Sequence, residues 1–380
     1  MKGTFKNTLL VSLTAVFSIL TILLSALMVL CTQKDQKTEH FVPHIHMMDQ
    51  YDEHISFSLD QAADAARSVP KLFWIPEDTK IAPEPDADKY GSTNNAAELD
   101  WLLQDASTIL DGQTPLFSTD IEILPGSQIN YYLDDSIFAV TWKQVIHNFV
   151  YTISEIKISH PSQFRRHLAG GEYNSKALYY TTDMAQQVNA VVGSSADYYR
   201  GREFGIIVYD GEVKRIHSPK SADVCYIDRS GNLHFSYRGD LLDMASAQKF
   251  VDDNDISFSI AFGPILIDNG VRCEPNYYPI GEVRDRYARA ALCQMGELHY
   301  LVVAANSEGR YFNNQTIHDF AEALSDFGCQ KAYTLDGGNT AAIAMDGKLI
   351  NRTAFGYQRR LSDIIYFCTA VPERGTQSDE

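Results

Sequence analysis

Residues 316–350 read TIHDFAEALSDFGCQKAYTLDGGNTAAIAMDGKLI, and the order of elements they spell sets the class of the fold. Ile317, Phe320, Ala321, Leu324 and Phe327 recur at helical spacing. Thr316 is a capping residue, Asp319 suits the first turn and Gly328 ends the pattern, which predicts a helix over 316–327. A short apolar strand then runs to Leu335 and stops at Asp336-Gly337-Gly338. Ala341 to Met345 is a second apolar run, meeting Asp346-Gly347 ahead of Lys348-Leu349-Ile350. Asp-Gly between apolar runs signals a hairpin, because both residues reach positive φ at little steric cost.

Working outward, the same pairing recurs. Ile206 to Tyr209 leads into Asp210-Gly211, and Ile265 to Ile267 into Asp268-Asn269-Gly270. Leu298 to Ala305 and Leu361 to Thr369 read as buried strands, and Thr181 to Val188 as a weaker helix. Many hairpins and few helices predict an α+β domain with a mixed or largely antiparallel sheet and a few packed helices. This domain is expected over 120–370, followed by a polar tail, 371–380. Residues 32–119 read as a stalk: Pro76 to Asn95 (PEDTKIAPEPDADKYGSTNN) has the Pro, Asp, Gly and Asn content of a linker, flanked by two short amphipathic helices at Ile55–Leu72 and Leu99–Leu110.

The start of the chain is different in kind. Thr8 to Leu30 carries no charge, a run of about 23 residues against the roughly 20 that cross a bilayer as a helix. It ends Leu27-Met28-Val29-Leu30-Cys31, without the small residues of a cleavage site. Residues 1–31 are therefore expected to be a cytoplasmic tip and an uncleaved transmembrane signal anchor. Lys2 and Lys6 precede the span, whereas Lys34 and Lys37 are offset by Asp35 and Glu39, which favours a single-pass cell-membrane protein with its C-terminal domain extracytoplasmic.

The formal net charge of −17 argues against nucleic acid as a partner, since duplex binding rests on neutralising phosphates with Lys and Arg. It leaves room for a phosphate-bearing substrate held by local arginines. None of the six cysteines forms a C-x-x-C pair, so buried thiols are expected rather than zinc ligands. His40, His44, His46 and His54 fall in a polar segment and read as solvated. No cofactor or metal site is expected.

The chemistry gathers at Leu335-Asp336-Gly337-Gly338-Asn339-Thr340. The glycines let the backbone turn sharply and expose amide groups, with an acid at the strand end beside them. Alone the triplet is most often a turn; its surroundings say more. Asn189 to Tyr199 (NAVVGSSADYY) is an apolar strand closing on an acid and two aromatics, and Gly205 to Gly211 is a glycine-led strand with its turn. Then come Gly263-Pro264-Ile265-Leu266, Ala288-Arg289-Ala290-Ala291, Gly309-Arg310, the helix at Thr316, the Asp336 turn, and Arg359-Arg360-Leu361-Ser362-Asp363.

This order resembles the phosphodiester glycosidase family over roughly residues 135–370. The family's mammalian member removes N-acetylglucosamine to uncover mannose 6-phosphate, and bacterial members are often linked to exopolysaccharide or envelope glycans. Three positions depart from the family pattern: Ser195 stands for Asn, Ala196 for Gly and Asn339 for a third Gly, while Thr340 keeps the hydroxyl of the usual Ser. The resemblance implies an envelope-anchored hydrolase that cleaves sugar-1-phosphodiesters in a surface glycan or polymer. Asp336 and Asp197 would be the catalytic carboxylates, with Glu203 as another candidate. Arg289 and Arg310 would hold the phosphate with the Gly337 and Gly338 amides, and Thr340 and Ser195 would contact hydroxyls. The alternative is a non-catalytic glycan-binding or scaffold protein that keeps the fold.

Overall fold

The computed structural model describes residues 73–372 except 77, 275–277, 279–284 and 312. The expected membrane span, the helix at 55–72, the histidine cluster, Cys31 and most of the polar tail lie outside the described residues. Among the described residues no helix is long and apolar enough to cross a membrane. All of them fall within one compact unit, Pro70–Glu380.

The unit is α+β, built on antiparallel sheets. A large sheet has nine strands in the order Val271–Arg272, Ile265–Asp268, Lys331–Leu335, Arg289–Gly296, His299–Asn306, Phe149–Ile158, Ile137–Ile146, Ile129–Leu133, Tyr90–Thr93. A smaller sheet runs Lys348–Leu349, Ile343–Met345, Val192–Ser195, Asp363–Phe367, Phe164–Leu168. A three-stranded sheet (Leu233–Ser236, Val224–Asp228, Ile256–Ile260) and the hairpin Gly205–Tyr209/Glu212–His217 complete the body. The two-residue strand Phe73–Trp74 pairs with Val371–Pro372, joining the first described residues to the last.

Both faces of the large sheet are covered, which explains why its central strands read as unbroken apolar runs rather than alternating ones. On one face Val140, Trp142, Ile153, Leu301 and Val303 pack against Leu102, Ala106, Phe320 and Leu324 of the helical segments. On the other, Ala139, Ile156, Leu292, Val302 and Leu335 meet Val192, Ile343, Ile365 and Phe367 of the smaller sheet. The site described below lies where these two sheets meet.

All three hairpins read from Asp-Gly or Asn-Gly form as expected. The helix Ile317–Asp326 is capped by Thr316, whose side chain accepts from Asp319 N–H while Asp319 bonds back to Thr316 N–H. The second helix spans Thr181–Gln187. Cys225, Cys273, Cys293, Cys329 and Cys368 are free thiols, all buried but Cys273.

From Phe73 onward, the stretch read as a stalk is part of the domain. Tyr90–Thr93 is an outer strand of the large sheet, paired with Ile129–Leu133. Leu99, Leu102, Ala106, Ile109 and Leu110, in helices Asp100–Asp105 and Ser107–Leu110 and the turn before them, are buried in the core. The linker-like polar residues have local partners instead: Asp86 accepts from Asp88 N–H at 3.0 Å and Asn95 from Ala97 N–H at 3.2 Å. They cap short turns, a use of Asp and Asn that composition does not distinguish from a linker.

Candidate active site

The strand Lys331–Leu335 delivers Asp336 to the seam between the two sheets. Asp336 N–H donates to the Ala196 carbonyl at 2.9 Å, and Ser195 Oγ donates to the Asp336 carbonyl at 3.0 Å. Since Ser195 ends a strand of the smaller sheet, these two bonds stitch the sheets together at this residue. The glycines that follow are required by space and by backbone. A Cβ on Gly337 would stand 2.5 Å from the Ala288 carbonyl oxygen, and Gly338 has φ +64. Gly338 N–H donates to that same carbonyl at 2.9 Å. The glycine pair thus serves a close approach of backbones, and the Gly338 amide is directed at Ala288 rather than outward to an anion.

The Asp336 side chain is buried, and its Oδ2 accepts from Arg359 Nη2 at 2.7 Å. Burial raises its pKa above the usual carboxylate value, opposed by Arg359, by a hydrogen bond from Thr340 and by the charge of Arg202. Arg359 is itself about half exposed and lies over the Tyr198 ring, 4.7 Å from its centroid. Arg202 is half-buried, its guanidinium 4.1 Å from the Phe262 ring centroid. A carboxylate turned inward, reached through one half-exposed arginine and flanked by a second, is the arrangement the fold supplies here.

The other expected residues fall into three groups. Thr340 and Ser195 are buried beside Asp336 and bond inward; Thr340 Oγ1 donates to the Gly337 carbonyl at 2.5 Å. In this structure both hydroxyls are engaged within the protein, at the Asp336 turn. Asp197 is adjacent in the chain to Ala196 but wholly buried, and it accepts from Arg166 Nη2 at 2.9 Å and from Ala261 N–H at 2.9 Å. Arg166 also bonds Asp363 Oδ2, at 2.7 Å through Nη2 and 3.0 Å through Nε. Asp197 therefore belongs to a buried Asp–Arg–Asp group with Arg166 and Asp363. Burial and the neighbouring Asp363 push its pKa up to about 7 against the pull of Arg166.

Arg289, Arg310 and Glu203 direct their side chains elsewhere or stand exposed. The Arg289 backbone is next to the turn, its Cα 3.8 Å from where a Gly337 Cβ would be. Its side chain, however, runs to the Asp285 carbonyl at 2.6 Å and lies by the Tyr287 ring. Arg310 is exposed on the loop after His299–Asn306 and bonds Tyr311 Oη at 2.8 Å. Glu203 is exposed.

Sequence reasoning missed Arg359 and Arg202 as partners of the carboxylate, and Arg166 and Asp363 as the group around Asp197. Arg359 and Asp363 were legible only as parts of a closing stretch, and the sequence reading did not single out Arg202 or Arg166. Among the described residues no three His, Cys, Asp or Glu side chains gather to hold a metal ion.

A family model described as phosphodiester glycosidase matches residues 185–368. Among curated proteins, the SPbeta prophage-derived uncharacterized protein YomE of Bacillus subtilis is 22% identical over 204 residues, which is 51% of this chain and 30% of that protein. This chain thus spans less than a third of that relative's length. Two solved structures are similar. One is a hypothetical protein from Synechocystis, with 13% identity and a TM-score of 0.48, covering 65% of this chain and 64% of the other. The second is the zebrafish N-acetylglucosamine-1-phosphodiester alpha-N-acetylglucosaminidase catalytic domain, auto-inhibited by its pro-peptide, with 17% identity and a TM-score of 0.48, covering 61% of this chain and 82% of that one.

Proposed function

Residues 185–368 belong to the phosphodiester glycosidase family, and from that premise we propose that this protein hydrolyses sugar-1-phosphodiesters in a surface glycan, with Asp336 as the reacting carboxylate. The observation that carries the reading is the Asp336–Arg359 pair at the seam of the sheets.

In this reaction the bond between the anomeric carbon and a phosphodiester oxygen breaks. A water oxygen takes that place on carbon, and the water proton passes to a base and then to solvent. The departing group is a phosphate monoester, stable as an anion with a second pKa of roughly 6. It needs little help from a general acid. What the protein supplies is a carboxylate near the oxocarbenium-like centre and positive charge near the leaving phosphate. Asp336 in its ionised form accepts the water proton. Arg359 favours that ionised form against the effect of burial and offers its exposed side to the phosphate, with Arg202 adding positive charge nearby.

Anchoring in the cell envelope is part of the same proposal, supported by the uncharged run Thr8–Leu30. A second reading has one observation in its favour. Asp197, Ser195 and Thr340 all bond inward, leaving one carboxylate where a pair was expected. That suits a glycan-binding protein that keeps the fold without turnover.

The test is turnover of a panel of sugar-1-phosphodiesters and matched plain glycosides by the wild type, Asp336→Asn and Arg359→Ala. Release of free sugar from the phosphodiesters by the wild type alone supports the hydrolase. Binding without release, in a folded wild type, sinks it in favour of the second reading.

A further inference from the structure

Between the strands Lys348–Leu349 and Asp363–Phe367 the chain forms a loop, residues 350–362, that is tied down at several points. Asn351 accepts from Ile343 N–H at 2.8 Å and donates to the Ala341 carbonyl at 2.6 Å. The buried Thr353 donates from Oγ1 to the Tyr357 carbonyl at 2.6 Å, closing a turn in which Gly356 has φ +82. Asn339 holds it to the Asp336 turn: its side-chain oxygen accepts Phe355 N–H at 2.8 Å and its carbonyl accepts Arg359 N–H at 3.0 Å. Burial would favour turning the large apolar side chains of so firmly fixed a loop inward. Instead Phe355 is 75% exposed and Tyr357 62% exposed, with rings stacked at 6.4 Å and 27°.

We propose that Phe355 and Tyr357 form a stacking platform for a sugar ring of a polymeric, phosphate-bearing glycan, next to the bond that Asp336 attacks. This rests on the reading of Asp336 as the reacting group and extends it from small phosphodiesters to a polymer. A pyranose presents a face of C–H groups, which packs on an aromatic ring by dispersion and by removing apolar area from water. Two observations choose this occupant. The first is continuity, since Arg359 of this loop bonds Asp336 and the Phe355 amide is bonded to Asn339, three residues beyond Asp336. The second is charge. From Gly347 to Ser362 the chain carries Lys348, Arg352, Arg359 and Arg360 and no acid, in a protein of net charge −17. An anionic polymer repelled elsewhere is drawn to this loop. Asn339, where the family pattern has glycine, is the residue that sets the loop in place.

The experiment uses the full chain and a Phe355→Ala/Tyr357→Ala double variant, with a phosphodiester-linked oligosaccharide of several repeats and a single sugar-1-phosphodiester as probes. Loss of the platform is expected to raise KM for the oligosaccharide about tenfold. Turnover of the single unit, which has no second ring to place on the loop, should stay within about twofold. Phe355→Trp should keep oligosaccharide affinity. Equal loss on both probes, or an unchanged oligosaccharide KM, overturns the platform. If the wild type turns over neither probe, oligosaccharide binding is read directly: tenfold weaker binding by the double variant supports the platform, and no binding by the protein with both rings overturns it. Dissociation of a self-associated wild type by the double variant, with oligosaccharide affinity intact, assigns the rings to a protein contact and also overturns it. Absence of turnover with platform-dependent binding removes the hydrolase reading alone.

Discussion

Arg359 reaches the carboxylate of Asp336 at 2.7 Å from the far side of the exposed loop, and the Tyr198 ring lies 4.7 Å beneath its guanidinium. Tyr198 has φ +57, a left-handed backbone uncommon outside glycine, and its N–H is held by Asp363 Oδ1 at 3.2 Å. The arginine paired with Asp336 thus lies against a residue whose backbone is held by the buried Asp–Arg–Asp group. Strain of this kind persists only where the surroundings over-determine it.

Replacing Arg359 by alanine removes a charge-assisted hydrogen bond, a class worth about 1.5–3 kcal/mol. Turnover of phosphodiesters should fall about 10- to 100-fold, with a smaller effect on any plain glycoside. Because Arg359 lowers the Asp336 pKa against burial, its loss should move the acid limb of kcat/KM to higher pH. Arg359→Lys should recover part of the shift. A pH–rate profile with an unmoved acid limb would refute the pairing.

Asp336→Asn should abolish turnover, a loss on the order of 10²- to 10⁴-fold if the group is the base. It should not destabilise the fold. Burial raises the native pKa of Asp336, so ionising this carboxyl, as the base role requires, works against folding. The asparagine variant should melt at the same temperature as the wild type or above it near pH 7, read by thermal unfolding.

Asp197 gives a pH dependence of stability with a defined sign. Its native pKa of about 7 exceeds the usual 3.8, so the native state binds more protons between those values and stability falls as pH rises through that window. Asp197→Asn should flatten this slope in urea titrations between pH 4 and pH 8, without a change in pH dependence above it. Arg166→Met leaves buried Asp197 and Asp363 without their shared cation and should cost about 3–5 kcal/mol.

The segment before residue 120 should prove necessary for folding. Glu155, wholly buried, accepts from Leu116 N–H at 2.6 Å, Phe117 N–H at 2.7 Å and His299 at 2.8 Å, and the Phe117 ring packs edge-on to Trp142. A chain starting at residue 73 should give a cooperative unfolding transition, and one starting at residue 120 should not. Glu155→Ala should cost about 2–5 kcal/mol, since it leaves two backbone donors and a histidine unmatched.

Much of the fold was legible because its signals are local. The Thr316 cap, the Asp-Gly turns and the helical spacing to Phe327 depend on residues within a few positions of each other, and each forms where read. The Asp336 turn was legible for the same reason. Its partners were not, because Arg359 joins it through a loop and Arg166 meets Asp197 from another strand; spacing along the chain carries no trace of such pairs. The same limit explains the stalk. Asp86 and Asn95 look like linker residues until their capping bonds are seen, and the pairing of Tyr90–Thr93 with Ile129–Leu133 joins segments too far apart for periodicity to link.

The pairing of Phe73–Trp74 with Val371–Pro372 brings the beginning and end of the domain side by side. A body whose ends leave together is portable. It can be spliced into a surface loop of another polypeptide, or exchanged between longer proteins, with only a short closure to make. A pull on either end is met first by this two-residue clasp and reaches the Asp336 seam only after the clasp has opened.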